Sequence, residues 1–356
     1  MSKYTIEQLQ QDSLALLHQL IQTPSLSREE EQTAQLIQNF LKQKGIVSER
    51  VGHNVIAYNQ FFDETKPTIL LNSHHDTVKP NPGYTRDPFH AEIVDGKLYG
   101  LGSNDAGGCL VALIAAFCYY YGKPNLAYNL CLVASAEEEV SGKNGVELAY
   151  ASIKPCAFAI VGEPTLLDLA VAEKGLMVLD CVAHGESGHA AREEGVNAIY
   201  QAIEDINWFR SYQFPKESAY LGPIKMSVTM INAGSQHNVV PAECTYVVDV
   251  RTTDVYSNNE VLEIIRSKVK SEVTPRSTRL NSSTIPMDHP IVKAGIKLGK
   301  KTYGSPTMSD QALLPIPSLK VGPGHSARSH SADEFIYVAE VNDGVAFYIQ
   351  LLQEIL

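Results

Sequence analysis

The sequence offers little positive charge to a nucleic acid or an anionic membrane. Its 29 lysines and arginines are outnumbered by 40 aspartates and glutamates, which gives a formal net charge of −11, and the basic residues form no conspicuous run. Nucleic acids and anionic lipids are bound mainly through clustered positive charge. The composition therefore predicts no nucleic-acid partner and no membrane partner.

Long apolar segments are also missing. No stretch approaches the roughly 18 uninterrupted apolar residues that a membrane-spanning helix needs. The first residues, MSKYTIEQLQQD, contain no apolar core of signal-peptide length. The six cysteines are scattered without a Cys-X-X-Cys pair, as is typical of reduced packing residues rather than of disulfides or zinc ligands. We therefore expect a cytoplasmic protein.

The sequence does contain enough apolar material for two domains. It has 356 residues, of which 44% are hydrophobic and 19% charged, as in ordinary globular proteins. The runs TILLNS, NLCLVAS and AFAIVG predict buried strands, and a buried helix is predicted over 107–122, between the first two. This alternation predicts an α/β fold in which a mostly parallel mixed sheet is sandwiched by helices.

Two helices are predicted at the start of the chain. Residues 5–22 carry leucines and isoleucines at roughly helical spacing. The letters SREE at residues 27–30 have the form of a capping box, so a second helix is expected to follow them. Gly45 is the expected end of that helix, since glycine accommodates the left-handed conformation that often ends helices.

The pattern changes near residue 176. Three strands are predicted in MVLDCVA, IKMSVTMI and CTYVVDV, and a last strand is expected near 277–284. One helix is predicted in EGVNAIYQAIEDINWF and another after a capping box at Ser257 and Glu260. This order is the β-α-β-β-α-β arrangement of ferredoxin-like units. The apolar face of the first of these helices is assigned to Val196, Ile199, Ile203 and Ile206.

A discontinuous first domain follows from this change of pattern. After the ferredoxin-like stretch, the chain returns to alternating helices and strands and ends in the helical pattern AEVNDGVAFYIQLLQEIL. We therefore predict a catalytic domain made of residues 1–176 and 287–356. An inserted α+β domain is predicted over 177–286, which is a usual size for an inserted domain.

Acidic and imidazole side chains follow the three predicted strands of the first domain. TILLNS is followed by His74, NLCLVAS by three adjacent glutamates at 137–139, and AFAIVG by Glu163. In open α/β sheets the ligand site lies outside the carboxyl ends of the strands. Asp105 in a glycine-rich turn and His330 near the end of the chain add further candidate ligands. So many converging carboxylates favour a divalent cation, and mixed histidine and carboxylate ligands suit Zn²⁺, with Co²⁺ or Mn²⁺ as alternatives.

The adjacent histidines are distinguished by their partners. Side chains alternate along a strand, so His74 and Asp76 should point to one side and His75 to the other. A metal-binding imidazole usually gives its second ring N–H to a carboxylate or a carbonyl. His74, with Asp76 two positions on, is therefore the better ligand candidate.

Each of these residues also has an ordinary structural explanation. Three adjacent glutamates usually form a solvated acidic turn, Asp105 could cap the helix that follows it, and His330 could lie on the surface. It is the joint occurrence of these groups at predicted strand and helix ends that predicts a metal centre.

The five motifs SHHDTV, GSNDAGG, SAEEEVSG, VGEPT and ARSHSADEF occur in order along the chain. In these motifs the sequence resembles the co-catalytic zinc deacylase and exopeptidase family, which includes acetylornithine deacetylase, succinyl-diaminopimelate desuccinylase, aminoacylase and bacterial glutamate carboxypeptidase. The resemblance covers nearly the whole chain. It implies a zinc-exopeptidase-like fold, two metal ions and hydrolysis of an amide bond.

The resemblance also implies roles for individual residues of the motifs. Glu138 corresponds to the family's general base, and Asp76 to the carboxylate that orients a metal-binding histidine. The implied metal ligands are His74 and Glu163 for one ion, Glu139 and His330 for the other, and Asp105 as a bridge between both. The peptide bond after the bridging aspartate is cis in relatives, so the resemblance implies a cis bond between Asp105 and Ala106.

In the inserted domain, the resemblance points to residues that would contact the substrate. His189, in GESGHAA, corresponds to a histidine that stabilises the oxyanion and, in dimeric members, reaches the active site of the partner. Asn238 and Arg251 match family positions near the substrate, and Lys174 is a further candidate for binding a carboxylate. An ordinary surface ion pair remains an alternative for Arg251. A homodimer through the inserted domain is expected.

One departure from the family pattern leaves the implied metal ligands intact but weakens a close assignment of the substrate. Many relatives have Asp-X-Lys-Gly-Gly where this chain has DAGGC at residues 105–109, so that lysine is absent. We expect a small N-acyl amino acid, first N-acetylornithine or N-acetylcitrulline in arginine biosynthesis. A succinyl-diaminopimelate-like substrate or a dipeptide is the alternative. A phosphoesterase, or a relative that binds without catalysis, is the remote alternative.

Overall fold

The structure is a computed structural model that describes residues 3–192 and 194–356. Two compact units divide the chain. The first contains the described residues up to Val171 together with Thr284–Tyr303 and Ser309–Leu356. The second contains Ala172–Ser283 and Gly304–Met308, apart from Glu193. The second unit therefore interrupts the first in the sequence.

Eight α-helices occur in the described part of the chain. None of them is both long and apolar enough to cross a membrane. The helices are α1 (Ile6–Gln22), α2 (Glu31–Gln43), α3 (Gly108–Tyr120), α4 (Val146–Ser152), α5 (Ala198–Ser211), α6 (Asn258–Arg266), α7 (Pro290–Lys297) and α8 (Val338–Gln353).

Most of the strands are short, and the longest belong to the second unit. The strands are β1 (Glu49–Val51), β2 (Asn54–Tyr58), β3 (Thr68–His74), β4 (Glu92–Val94), β5 (Lys97–Tyr99), β6 (Asn129–Ser135), β7 (Phe158–Val161), β8 (Leu169–Glu173), β9 (Gly175–His184), β10 (Gly188–His189), β11 (Lys225–Ala233), β12 (Val239–Val240), β13 (Glu243–Thr252), β14 (Glu272–Pro275), β15 (Ser283–Thr284), β16 (Thr302–Ser305), β17 (Ser318–Lys320) and β18 (Phe335–Tyr337).

The large sheet is mixed and has a parallel centre. Its order is β1-β2-β6-β3-β7-β17-β8-β15, with β16 beside β8. The central strands β6, β3, β7 and β17 pair in parallel. The pairs β1 with β2, β2 with β6, and β17 with β8 are antiparallel. The predicted α/β class is therefore confirmed, with parallel pairing at the centre of the sheet.

The central strands are buried on both faces because helices cover both sides of the sheet. Every residue of β3 is buried. Its Ile69 and Leu71 belong to a core shared with α1, α3 and α8, whereas Leu70 packs in a separate cluster with Val146 and Ala149 of α4. Successive strand side chains point to opposite faces, which explains this alternation. Continuous apolar runs in the sequence are the consequence.

The start of α2 differs from the prediction. The helix begins at Glu31, and its N-cap residue, Glu30, makes no capping hydrogen bond through its side chain. The Ser27 hydroxyl instead donates to the carboxylate of Asp76 at 2.7 Å. The predicted capping box is therefore wrong, because the Ser27 hydroxyl is hydrogen-bonded to Asp76 instead of to the start of the helix. The expected stop is confirmed, since Gly45 has a φ of 75°.

The second unit has the predicted ferredoxin-like topology. Its four-stranded sheet has the order β11-β13-β9-β14 with antiparallel pairing throughout. Helices α5 and α6 share one core with β9 and β13. The capping box at Ser257 and Glu260 is confirmed at the start of α6.

Two details of that unit differ from the prediction. The strand that pairs with β9 at the sheet edge is Glu272–Pro275 rather than a strand near 277–284. In α5, Ile203 is 45% exposed, and Val196, which is 44% exposed, precedes the helix. The residues that α5 buries are Ala198, Ala202, Asp205 and Phe209.

Candidate metal centre and catalytic residues

Three neighbouring strands of the large sheet end at the same edge. His74 at the end of β3 is aligned with Ser135 at the end of β6, and Asn72 of β3 is aligned with Val161 at the end of β7. Because the three strands are parallel, the residues that follow them emerge together. Glu163, Glu138 and Glu139 therefore lie near His74 at this edge.

Five side chains form a cluster at that edge. His74 Nε2 lies 3.3 Å from Asp105 Oδ1 and 3.8 Å from Glu163 Oε1. His330 Nε2 lies 2.9 Å from Glu139 Oε2 and 3.7 Å from Asp105 Oδ2. Asp105 thus directs one oxygen towards each histidine. The ligand atoms of His74, Asp105 and Glu139 all lie within 4.8 Å of one another.

The electrostatics of the cluster match the needs of divalent cations. Burial, together with the charge of Asp105, raises the pKa of Glu163 to about 8. Burial also raises the pKa of Glu139, although the hydrogen bond from His330 opposes that rise. Carboxylates held this close without a cation disfavour their own ionisation. Three carboxylates and two imidazoles are a donor set that Zn²⁺ and similar ions accept, so the residues present fit the metals that the sequence implied.

The two adjacent histidines have different surroundings. His74 Nδ1 lies 3.0 Å from the backbone oxygen of Asp76, which leaves Nε2 facing Asp105. His75 is engaged at both nitrogens, by the hydroxyl of Thr33 and by the backbone oxygen of His53. Burial lowers the pKa of His75 to about 4, so it is neutral. Only His74 of the pair belongs to the cluster.

Asp76 does more than orient His74. Its Oδ1 accepts the backbone N–H of Glu138 at 3.0 Å, and its Oδ2 accepts that of Glu139 at 3.2 Å. The Ser27 hydroxyl donates to the same carboxylate. Asp76 therefore fixes the backbone of the turn that carries two of the candidate residues, a role that the sequence did not reveal.

The side chains of the three adjacent glutamates have different surroundings. Glu137 has a φ of 55°, and its carboxylate accepts hydrogen bonds from the backbone and the side chain of Asn144. Glu139 meets His330. Burial raises the pKa of Glu138 well above its ordinary value, although nearby His74 opposes the rise. The three side chains therefore do not form a solvated acidic turn.

The glycine-rich turn before α3 presents Asp105 to the cluster. The peptide bond between Asp105 and Ala106 is cis, as the resemblance implied. Asp105 does not cap α3, whose N-cap residue is Gly107. A Cβ atom at Gly107 would lie 2.4 Å from the backbone oxygen of Gly102 and 2.7 Å from Leu17 Cδ1. This position therefore has no room for the lysine that many relatives carry.

Two buried carboxylates near the cluster escaped the sequence analysis. Glu334 accepts the backbone N–H groups of Gly102, Asn104 and Asp105. Asp310 accepts the hydroxyl of Ser135 at 2.6 Å. Glu334 stands inside the motif ARSHSADEF, so its place in the motif was the available signal. No comparable signal marks Asp310.

The candidate substrate residues belong to the second unit. His189 of β10 is aligned with Val239 of β12, and the N–H of Ala190 donates to the backbone oxygen of Asn238. His189 and Asn238 are thus brought together, and His189 is exposed. The other two candidates have their own contacts: Arg251 donates through Nε and Nη2 to Asp249, and Lys174 Nζ donates to the backbone oxygen of Pro223.

Comparison with known proteins points to the same family that the sequence motifs resemble. The sequence model of the family described as "Peptidase family M20/M25/M40" matches residues 70–354. An acetylornithine deacetylase of Proteus mirabilis (strain HI4320) is 29% identical over 377 residues, covering 96% of this chain and 96% of the relative. A succinyl-diaminopimelate desuccinylase 2 of Ruegeria sp. (strain TM1040) is 24% identical and covers 96% of this chain and 95% of the relative.

A solved structure shares the fold. The M20 family metallo-carboxypeptidase from Sulfolobus solfataricus superposes with a TM-score of 0.73 and 18% identity, covering 96% of this chain and 98% of that one. At this identity the likeness concerns the fold alone. The fold expected from the sequence is thereby confirmed.

Proposed function

Because the chain belongs to peptidase family M20/M25/M40 and is a metal-dependent hydrolase, we propose that it hydrolyses the amide bond of a small N-acyl amino acid. The observation that carries the proposal is that His74 and His330 both lie close to Asp105, with Glu138 on the adjoining turn. N-acetylornithine or N-acetylcitrulline is the first candidate substrate, which would place the enzyme in arginine biosynthesis. The similarity to an acetylornithine deacetylase supports this choice.

The second candidate is a succinylated amino acid. The relative from Ruegeria is named as a desuccinylase, and it covers the chain as fully as the acetylornithine deacetylase does. A dipeptide would present the same type of amide bond to the centre. The choice among these substrates depends on the residues that would surround the acyl group and the side chain of the substrate, rather than on the metal cluster.

The cluster would hold two divalent ions, with Zn²⁺ favoured and Co²⁺ or Mn²⁺ as alternatives. Asp105 would be shared between them. His74 and Glu163 would complete one set of ligands, and Glu139 and His330 the other. Such ions supply Lewis acidity, which lowers the pKa of a water molecule and polarises the acyl carbonyl.

Glu138 is the residue that moves the proton. It takes a proton from the attacking water and returns it to the leaving amine. Burial suits this double role, because it raises the pKa of Glu138 towards the range in which a carboxyl group can both accept and donate. Asp76 holds the backbone of Glu138 while this happens.

The inserted domain, which we assign to residues 177–286, supplies most of the substrate contacts. His189 stabilises the oxyanion, from a second subunit in the dimer that we propose. Arg251 suits two-point capture of a carboxylate, and its Nε and Nη2 would exchange the carboxylate of Asp249 for that of the substrate. Asn238, and Lys174 just before this domain, complete the set. The exposed apolar side chains that would support the dimer interface are Val196, Tyr200, Ile203, Met230, Ile231 and Val239. Light scattering of the purified protein measures the oligomeric state.

A cytoplasmic location is part of the same proposal. All six cysteines are free thiols, and all are buried. Reduced thiols in a protein without disulfides suit a reducing compartment. Fractionation of cells that express the tagged protein tests this assignment.

The decisive experiment measures amine release from a panel of N-acetyl, N-succinyl and dipeptide substrates. The enzyme is first stripped of metal and is then assayed with and without Zn²⁺ or Co²⁺. Activity that returns with metal and favours one substrate supports the proposal and identifies the acyl group. Metal binding without turnover of any substrate would favour a binding role, and phosphate release from a simple ester would favour a phosphoesterase.

A further inference from the structure

A single residue near the end of the chain holds the turn that carries Asp105. The carboxylate of Glu334 accepts the backbone N–H of Gly102 at 3.2 Å, of Asn104 at 2.8 Å and of Asp105 at 3.0 Å. Its backbone oxygen accepts the N–H of Gly100 at 3.0 Å. Glu334 therefore makes four hydrogen bonds to a turn that lies more than 200 residues earlier in the sequence.

These hydrogen bonds are protected from solvent. Glu334 is 1% exposed, and its Oε1 receives the N–H groups of both Asn104 and Asp105. Burial raises the pKa of Glu334 to about 8, and the three backbone N–H donors oppose that rise. The loss of the carboxylate would leave these buried donors unsatisfied. Two of the three donors to this carboxylate are the backbone N–H groups of Asp105 itself and of the residue before it. A shift of this backbone would move the Asp105 oxygens relative to both histidines.

We propose that Glu334 is a positioning residue for the metal centre: it holds Asp105 where its two oxygens can be shared between two ions. This inference rests on the proposed function, since it takes Asp105 as the shared ligand. Glu334 also lies four residues after His330. The segment that supplies one ligand thus fixes the position of another.

The neighbouring Asp333 offers a comparison within the same segment, with a carboxylate that is less buried than that of Glu334. Its carboxylate accepts the backbone N–H groups of Thr85 and Arg86, both at 2.9 Å, and the Thr85 hydroxyl at 2.6 Å. It therefore makes as many hydrogen bonds as the carboxylate of Glu334, in the same segment, but to a different part of the chain. If any hydrogen-bonded carboxylate in this segment were enough to maintain the metal centre, Asp333 and Glu334 variants would have the same Zn²⁺ affinity.

The test compares Glu334→Ala, Glu334→Gln and Asp333→Ala in the full-length protein. Metal affinity is measured with a chromophoric chelator that competes for Zn²⁺, without substrate, and the unfolding midpoint is measured in parallel. We expect Glu334→Ala to weaken Zn²⁺ binding about 10- to 100-fold, as losses of supporting groups around metal ligands usually do. Asp333→Ala should lower the unfolding midpoint and leave Zn²⁺ affinity unchanged.

Glu334→Gln serves as the milder variant, and decides the question if Glu334→Ala does not fold. Its amide oxygen can still accept from Asn104 and Asp105, but its NH₂ group would face the N–H of Gly102. We therefore expect a smaller loss of Zn²⁺ affinity than in Glu334→Ala. Zn²⁺ affinity in the folded Glu334 variants equal to that of Asp333→Ala would overturn the proposal. Because no substrate is involved, that result is distinct from a failure of the proposed amide hydrolysis.

Discussion

Oδ1 of Asp76 accepts the backbone N–H of Glu138 at 3.0 Å and lies 3.4 Å from Nδ1 of His74. One carboxylate oxygen thus contacts both the candidate ligand at the end of β3 and the turn after β6. The positions of the proposed base and of the first metal ligand are therefore coupled through a single buried side chain.

Replacement of Asp76 by Asn should disturb the positions of both the proposed base, Glu138, and the candidate ligand, His74. The amide keeps the size of the side chain but loses one acceptor and the negative charge. We expect turnover and metal affinity to fall by about 10- to 100-fold, measured by steady-state assay and chelator competition. Ser27→Ala is the matched control, because it removes only the hydroxyl that donates to Asp76. Equal effects of both variants would contradict the coupling.

Replacement of Glu138 by Gln should abolish proton transfer while the metals remain bound. We expect kcat to fall by about 10²- to 10⁴-fold, the usual contribution of a general base. The bound metal, measured by elemental analysis, should not change. Glu137→Gln is the comparison, since that carboxylate faces Asn144. Near-normal turnover by metal-loaded Glu138→Gln would disprove the assignment of the base.

The metal-free protein should become less stable as the pH rises from about 6.5 to 8, above the range in which the lowered pKa of His75 acts in the opposite direction. The pKa of Glu163 is raised from 4.5 to about 8 by burial and by Asp105, so over this interval the folded state holds a proton that the unfolded state has lost. The free energy of unfolding therefore falls as the pH rises. His330 acts in the same direction above pH 6.5, because Glu139 raises its pKa to about 9.

Urea unfolding of chelator-treated protein across this pH range measures the effect. Zn²⁺ should flatten the dependence, since a bound cation favours the ionised carboxylate and the neutral imidazole. Glu163→Gln should also reduce the slope in the metal-free protein. A metal-free protein whose stability rises with pH would refute this prediction.

Substitution of Gly107 by Ala should destabilise the fold. The added Cβ would lie 2.4 Å from the backbone oxygen of Gly102, so the backbone would have to move. We expect a loss of about 1–3 kcal/mol in the free energy of unfolding, the usual cost of overpacking, measured by urea unfolding. Gly122→Ala is the control, because its Cβ would meet only the flexible Gln60 side chain, at 3.3 Å. Equal losses would show that the close contact is not the cause.

The sequence predicted those parts of the fold in which a local pattern and the tertiary contacts agree. The strand containing Leu70 is buried on both faces, and a continuous apolar run is the direct expression of that burial. The ends of such strands could be located, so His74, the adjacent glutamates and Glu163 could be grouped before the structure was known. The geometry of Asp105 followed from the resemblance rather than from the pattern.

The failures occur where distant contacts override local signals. Ser27 looks like a helix cap but donates to Asp76, which is 49 residues away. In α5, small residues such as Ala198 and Ala202 pack against the sheet, whereas Ile203 is left exposed. The edge strand Glu272–Pro275 is short and contains a proline, which is tolerated at a sheet edge but weakens a strand prediction.

The parallel pairing of β17 with β7 has a consequence for how the protein is made. The strand Ser318–Lys320 lies beside Phe158–Val161, yet the ribosome synthesises the whole second unit between them. During translation the nascent sheet therefore lacks a central strand, and β7 has an open edge, until the C-terminal segment emerges. His330 comes later still. A nascent chain that has not yet exposed His330 lacks one of the proposed ligands, so we expect the complete metal centre to form only after this segment has emerged.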